Sequence, residues 1–154
     1  MKKIVMLVWP LLVLACAGGK QLAFEQYSVA MNLAVEADSS VFIGTGEKFN
    51  GVLWLQPVLK TEQVSTPTVK VIQNYGAYYV CAEGFKNIWV VQPKSDGLYA
   101  STKPLDVTPK DKADVYSHIA FSRYGTREKA MVRFRFGGKE VFIDKKGGVH
   151  ETYQ

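Results

Sequence analysis

Short segments in which apolar and polar residues alternate recur along the chain from residue 27 onwards, and residues typical of turns separate them. In segment 27–38 every second side chain is apolar, which predicts a half-buried strand. The spacing of Phe24, Tyr27, Met31 and Val35 fits one face of a helix almost as well. A strand and a helix therefore both stay open for this segment, with the strand favoured.

The middle of the chain predicts a meander of antiparallel strands, because its apolar runs are short and turn residues interrupt them. The predicted strands are 41–43, 52–59, 69–73, 77–82, 88–92 and 98–101, and segment 115–122 is a strand or a short helix. Because proline lacks a backbone N–H, Pro57 predicts that strand 52–59 lies at a sheet edge or contains a bulge. Asp96-Gly97 is typical of a two-residue hairpin turn. The predicted loops are 44–51, 62–68 and 102–114.

The C-terminal region has the clearest pattern. Segments 131–136 and 139–144 alternate, and Gly137-Gly138 between them is typical of a two-residue hairpin turn. This turn sets the register of the hairpin. The expected core pairs are Phe134 with Val141 and Val132 with Ile143, and the expected outer pairs are Arg135 with Glu140 and Arg133 with Phe142. The outer pairs would form an ion pair and a cation–π contact. A last strand is predicted at 149–153.

These patterns predict an all-β or mainly β fold, a small antiparallel sandwich or barrel-like domain that can include one short helix. Residues 27–154 suffice for one hydrophobic core, so we expect a single β-rich domain. With 47% apolar and 21% charged residues, the chain has a globular composition. Aromatic residues of the middle strands are expected in the core. They are Trp54, Tyr75, Tyr78, Tyr79, Trp89 and Tyr99.

The beginning of the chain has the parts of a secretory signal in their usual order. Lys2 and Lys3 precede an uncharged apolar run at 4–15, and small residues follow it. The run is shorter than the roughly 20 apolar residues that a membrane-spanning helix needs. We therefore expect an exported protein with a signal peptide at 1–15.

The end of this signal, Val13-Leu14-Ala15-Cys16, resembles the lipobox of bacterial lipoproteins. The resemblance implies that Cys16 is lipidated, and that residues 16–26 are the lipidated N-terminus and a short tether. It also implies an outer-membrane anchor facing the periplasm, because Ala17 is not the aspartate that commonly retains such proteins in the inner membrane. Ala15-Cys16-Ala17 also fits ordinary A-x-A cleavage, which would release a soluble periplasmic or secreted protein.

Charge and cysteine content narrow the possible partners and the source of stability. The formal net charge is +5, of which Lys2 and Lys3 contribute two, so +3 remains after export. This mild basicity suits an anionic surface, and together with the export signal it argues against nucleic acid. Without Cys16, Cys81 has no partner for a disulfide, so we expect a buried, unreactive thiol and stability that comes from the core.

The sequence contains no pattern typical of a catalytic or metal site. It has no G-x-S-x-G, no H-E-x-x-H and no cysteine pair at metal-binding spacing. His118 lies in an apolar run and His150 in the polar C-terminal region, and these are the only histidines. We therefore expect no catalytic residues, no cofactor and no metal.

Segment 123–136 is rich in basic residues and contains one acidic residue, Glu128. Aromatic residues lie between the basic ones. The basic residues are Arg123, Arg127, Lys129, Arg133 and Arg135. Such a cluster is a candidate binding patch for anionic lipid, an anionic glycan or an acidic protein. The simpler alternative is a solvated strand face.

The sequence favours a lipid-anchored, non-catalytic lipoprotein of the cell envelope that binds a protein partner or forms part of an envelope assembly. A second hypothesis is an inhibitor or exclusion-type immunity protein that blocks a foreign or secreted partner. The third is a periplasmic hydrolase whose site has no familiar pattern. The anchor is the specific signal that favours the first.

Overall fold

A computed structural model describes residues 30–45, 48–93, 100–107 and 115–154 of the chain. The predicted signal peptide, Cys16, the tether and the Asp96-Gly97 turn lie outside these residues, as does Tyr99. The described residues form antiparallel sheets with one short α-helix. The predicted mainly β fold of a small sandwich or barrel-like type is thereby confirmed.

The elements follow one another as short strands with a helix between the third and the fourth. They are β1 Met31–Ala34, β2 Ser40–Thr45, β3 Lys48–Trp54, α1 Gln56–Glu62, β4 Thr68–Asn74, β5 Ala77–Cys81, β6 Ile88–Pro93, β7 Ala100–Leu105, β8 Ala120–Tyr124, a 3-10 helix Arg127–Lys129, β9 Met131–Phe136, β10 Lys139–Ile143 and β11 Val149–His150.

The strands of the described part pair into two sheets and a hairpin. The first sheet has the order β1-β4-β5-β6-β7, the second has the order β11-β10-β9-β8, and β2 pairs with β3 alone. Strand β5 lies in the middle of the first sheet, and every one of its residues is buried. A strand that is buried on both faces needs a packing layer on each side of its sheet.

Register and hydrogen bonds identify those two layers. Val80 and Trp89 are aligned on one face of the first sheet, and there the Trp89 Nε1 donates to Glu62 Oε1 of α1 at 2.7 Å. On the opposite face, Asn74 Nδ2 donates to the backbone oxygen of Ala130 at 3.1 Å. The first sheet is therefore a middle layer, with α1 on one side and the second sheet on the other.

Residues 115–119, which have no regular secondary structure, join the sheets at one end. The Tyr116 amide donates to the Phe85 oxygen at 2.7 Å, and the Tyr116 oxygen accepts from the Gly84 amide at 2.9 Å. The Tyr116 ring packs edge-on against Phe134, with centroids 5.1 Å apart. The predicted strand or short helix over 115–122 therefore begins as a strand only at β8.

The prediction of a strand over 52–59 is wrong beyond β3, because α1 follows at once. Pro57 lies in the first turn of α1. The N–H groups of this turn make no hydrogen bond within the helix, so proline, which has no N–H, is tolerated there. Leu55, Val58 and Glu62 are buried, and their spacing of three and four residues fits one helix face. Pro57 therefore lies in the first turn of a helix and not at a sheet edge.

The other differences concern element boundaries. Within the described part of the predicted strand 27–38, which begins at residue 30, β1 covers Met31–Ala34. Strand β11 covers only Val149–His150 of the predicted 149–153. Strands β2 and β3 extend into the predicted loop 44–51, and β7 occupies the beginning of the predicted loop 102–114. These strands are extended by pairing with a neighbour, which local composition does not reveal.

The C-terminal hairpin is confirmed residue by residue. Strands β9 and β10 pair in the predicted register: Phe134 with Val141, Val132 with Ile143, Arg135 with Glu140 and Arg133 with Phe142. Gly137 and Gly138 have φ angles of 51° and 81°. A two-residue turn with positive φ at both positions matches the right-handed twist of the strands, and glycine adopts it without steric cost.

A buried carboxylate on α1 ties the helix to the first sheet. Glu62 is only 5% exposed, and its Oε2 accepts from the Lys86 amide at 2.6 Å. Its Oε1 accepts from Asn87 Nδ2 at 2.9 Å and from Trp89 Nε1 at 2.7 Å. Three donors at hydrogen-bond distance offset the cost of burying this carboxylate.

We expect Glu62→Ala to lower the free energy of unfolding by about 3 kcal/mol, because it leaves buried donors without an acceptor. Glu62→Gln should lower it by roughly half as much, since its amide keeps one oxygen acceptor but turns a donor towards another donor. Urea unfolding of both variants measures these losses.

Glu140→Ala is the matched control, because the Glu140 side chain is 38% exposed in its ion pair with Arg135. We expect this control to lose less than about 1 kcal/mol. Equal losses at positions 62 and 140 would contradict a special role for the buried carboxylate.

Candidate functional site

The five basic residues of the predicted binding patch occupy three different places. Arg133 and Arg135 lie on the outer face of the second sheet, in line with Ser122 and Ala120 of β8. Arg123 pairs with Val132 and therefore lies on the inner face. The remaining two, Arg127 and Lys129, lie in the 3-10 helix. The structure thus brings two of the five together and separates them from the others.

Arg133 and Arg135 share one carboxylate on the outer face. Arg135 Nε donates to Glu140 Oε2 at 2.7 Å, and Arg133 Nε lies 3.9 Å from the same oxygen. Arg133 Nε also donates to Ser122 Oγ at 2.9 Å, and its guanidinium lies 5.1 Å from the Tyr124 ring centroid. The sequence predicted a cation–π contact of Arg133 with Phe142, whereas the structure shows this contact with Tyr124. Part of the positive charge is therefore already compensated within the protein.

Arg123 connects the two sheets instead of facing solvent. Its Nη2 donates to the backbone oxygen of Gln73 in β4 at 2.5 Å and to Gln73 Oε1 at 3.2 Å. A guanidinium presents several donors in a fixed plane, so it satisfies two acceptors on a neighbouring strand. This geometry gives Arg123 a structural role between β8 and β4.

The 3-10 helix is held by two tyrosines at its carbonyl groups. Tyr75 Oη donates to the Arg127 oxygen at 2.6 Å, and Tyr153 Oη donates to the Lys129 oxygen at 3.4 Å. The Tyr153 ring also covers Gly125, where a Cβ atom would overlap the ring. The side chains of Arg127 and Lys129 are exposed at this corner.

The two histidines have separate surroundings. His150 Nε2 lies 2.9 Å from Asp144 Oδ2. Asp144 Oδ1 accepts from the amides of Lys146 at 2.7 Å and Gly148 at 2.9 Å, so this carboxylate organises the turn between β10 and β11. His118 is exposed, and its amide donates to Glu83 Oε2 at 2.8 Å. The described residues contain no group of histidine, cysteine and acidic side chains suited to a metal ion.

Cys81 is buried, as predicted. It is 0% exposed, and burial raises the pKa of its thiol well above the ordinary value. Its Sγ lies 3.6 Å from the backbone oxygen of Ala82 and 3.8 Å from that of Asn87. A neutral thiol inside the core is a poor nucleophile.

The β2–β3 hairpin exposes large apolar side chains that the sequence analysis did not single out as a surface. Phe42 is 50% exposed and Trp54 is 53% exposed, so the expectation that Trp54 belongs to the core is wrong. The same expectation is wrong for Tyr75, which is 41% exposed. Register assigns Phe42, Val52 and Trp54 to one side of the hairpin. We call these three residues the hairpin face.

The opposite side of the same hairpin is part of the core. Val41 and Leu53 are 0% and 3% exposed. Because β2 and β3 carry apolar residues on both sides, their sequence does not alternate and could not reveal which side faces solvent. Phe42 and Trp54 occupy diagonal positions across the two strands, within reach of each other for aromatic side chains. The hairpin face therefore presents two large exposed aromatic side chains on one side of the hairpin.

Comparison of the chain with protein-family models, with curated proteins and with solved structures found no match. Within residues 30–45, 48–93, 100–107 and 115–154, no helix has the length and apolar character required to cross a bilayer. The function of the chain is therefore inferred from the surfaces of its own fold.

The turn carboxylate predicts a pH dependence of stability. Desolvation alone would raise the pKa of Asp144, but hydrogen bonds from His150, Gly148 and Lys146 outweigh it and lower the pKa below the ordinary 3.8. A lowered pKa in the folded state stabilises the protein above the unfolded-state pKa, and this stabilisation disappears as the pH falls through the folded-state value.

We therefore expect Asp144→Asn to be less stable than the parent at about pH 6, with the difference narrowing below about pH 4. Urea unfolding at a series of pH values measures the difference. Glu151→Gln, at an exposed position, serves as the control and should follow the parent. A difference that stays constant down to about pH 3 would exclude this role of Asp144.

Proposed function

We propose that this chain is an exported lipoprotein, anchored by lipid at Cys16 in the outer membrane and facing the periplasm, whose β domain binds a protein of the cell envelope through the hairpin face. Its role in this proposal is binding and assembly without catalysis. The observation that carries the binding role is the exposure of Phe42 and Trp54 at diagonal positions on one side of the hairpin.

The anchor is supported by the apolar run that leads directly to Cys16. Strand β1 begins at Met31, and a chain extends by at most about 3.5 Å per residue, so the domain stays within about 50 Å of the lipid. A multiply acylated N-terminus holds a domain of this size on a bilayer stably. The hairpin face would then act close to the membrane surface.

The hairpin face has the chemistry of a protein-binding surface. Single exposed apolar residues are normal on any protein, whereas a contiguous patch of large ones commonly marks an interface. Tryptophan is among the residues that contribute most to protein–protein affinity. We expect a partner with an apolar pocket that takes the Trp54 ring, surrounded by polar contacts.

Cys16→Ser should abolish incorporation of labelled fatty acid and move the protein from the membrane fraction to the soluble fraction of the envelope. Cys81→Ala is the matched cysteine control and should keep the label, because Cys81 is buried in the domain. A parent chain without fatty acid, or a Cys16→Ser variant that keeps it, would overturn the anchor.

Trp54→Ala should weaken partner binding by about 30-fold, the loss typical of a truncated hot-spot residue, while Trp54→Phe should retain part of the affinity. Val115→Ala is the control, because Val115 is equally exposed, at 50%, and lies outside the hairpin face. The partner is first identified by a photo-crosslinker introduced at position 54 in cells that express the full chain.

A resident envelope protein that crosslinks at position 54 and not at 115 would support the proposal. A foreign or secreted protein captured in this way would instead indicate the inhibitor or immunity role. Equal crosslinking at both positions, or no effect of Trp54→Ala on affinity, would exclude the hairpin face as the binding surface.

A further inference from the structure

A cavity of about 240 Å³ opens between the first sheet and the turn that follows β10. Its floor is apolar and consists mainly of Tyr79, Val90 and Leu105. Its rim carries three lysines that come from two distant parts of the chain, Lys103 on β7 and the adjacent Lys145 and Lys146 in the turn. The fold, and not the local sequence, brings these three lysines to the border of one cavity.

The cavity exists because the second sheet covers only part of the face that it packs on. Tyr79, Val90 and Lys103 are aligned in register across β5, β6 and β7 on that face. Tyr79 is 1% exposed, and its hydroxyl donates to the backbone carbonyl oxygen of Asp144 at 3.4 Å. Val90, one strand further out, is only partly buried. At this position the face is therefore less covered on β6 than on β5.

The rim is positively charged, because its three lysines outnumber the one carboxylate nearby, that of Asp144. None of the described residues that line the cavity is acidic. The Asp144 carboxylate accepts from the amides of Lys146 and Gly148 and lies 2.9 Å from His150 Nε2, and it offsets part of the positive charge. Lys145 Nζ lies 5.7 Å from the Tyr75 ring centroid, a contact that leaves its charge in place. Lys145 also lines the neighbouring cavity that contains Tyr75, Glu128 and Asp144. The net positive charge of three lysines and one carboxylate attracts anions to the opening.

We propose that this cavity binds a phosphate monoester or diester that carries a small apolar substituent, with the phosphate among Lys103, Lys145 and Lys146 and the substituent on Val90 and Leu105. Lysine ammonium groups bind phosphate as point charges and do not need the planar geometry of arginine. An apolar floor with a few converging polar groups is the usual composition of a ligand site, and this volume suits a small ligand or one end of a larger one.

Lys103 also has a structural explanation, which the test must separate from binding. Strand β7 is an edge of the first sheet in the described part of the chain, and charged residues on edge strands prevent sheets from pairing between molecules. An edge-protecting lysine would not require Lys145 and Lys146 to face the same opening. The proposal therefore depends on all three lysines acting together.

The test uses amide NMR spectra of the full chain in uncharged detergent. Phenyl phosphate is the soluble probe, inorganic phosphate tests the need for the apolar substituent, and bicelles with or without phosphatidylglycerol test a lipid headgroup. We expect chemical-shift changes confined to the cavity residues, at lower concentrations for phenyl phosphate than for inorganic phosphate. Lys103→Met, Lys145→Met and Lys146→Met should each weaken binding by about tenfold, and Lys139→Met, at an exposed position elsewhere, should not.

Localised shifts with phenyl phosphate identify a soluble ester as the source of the phosphate, and localised shifts only with phosphatidylglycerol identify a lipid headgroup; both support the site. The absence of localised shifts with both phenyl phosphate and phosphatidylglycerol bicelles would overturn the site. Lys139→Met weakening the binding as much as the three cavity variants would also overturn it. A Lys103→Met variant that self-associates in sedimentation while its affinity for phenyl phosphate is unchanged would assign Lys103 to edge protection and also overturn the three-lysine site.

Discussion

Strand β5 is buried on both faces, and the rest of the structure follows from the need to cover it. On one side the cover is α1, which the buried Glu62 carboxylate attaches to β6 through Trp89. On the other side it is the second sheet, attached through Asn74 and Arg123. Because each layer is fixed by hydrogen bonds that bury polar groups, neither can move away without leaving donors unsatisfied.

This arrangement divides the polar residues into those that hold the layers and those that are available at the surface. The Arg123 guanidinium donates to strand β4, and Arg133 and Arg135 both contact the Glu140 carboxylate. The surfaces that remain are of different chemistry: an apolar hairpin face and a lysine-rimmed cavity at the uncovered part of the first sheet. The hairpin face is the side of β2 and β3 opposite their buried side chains, and the cavity lies where the first sheet is only partly covered.

Local patterns predicted those parts of the fold that depend on neighbours in the chain. The C-terminal hairpin was predicted to the register, because two glycines with positive φ set the turn and alternation then assigns every side chain of β9 and β10 to a face. The strands β4, β5 and β6 followed from their apolar runs. The prediction of a strand over 52–59 was wrong because Pro57 is compatible both with an edge strand and with the first turn of a helix. The burial of Val58 and Glu62 against the sheet decides for the helix.

The sequence by itself determined the mainly β class, the hairpin register and the buried state of Cys81, since alternation, turn chemistry and hydrophobicity are local properties. Only the tertiary structure decided which surfaces are open. A run of basic residues between 123 and 135 was dispersed by the twofold period of the strands and by a 3-10 helix, whereas Lys103 and Lys145, 42 positions apart in the sequence, came to one cavity. Exposure and convergence depend on which layers cover which faces, and that information lies in long-range packing.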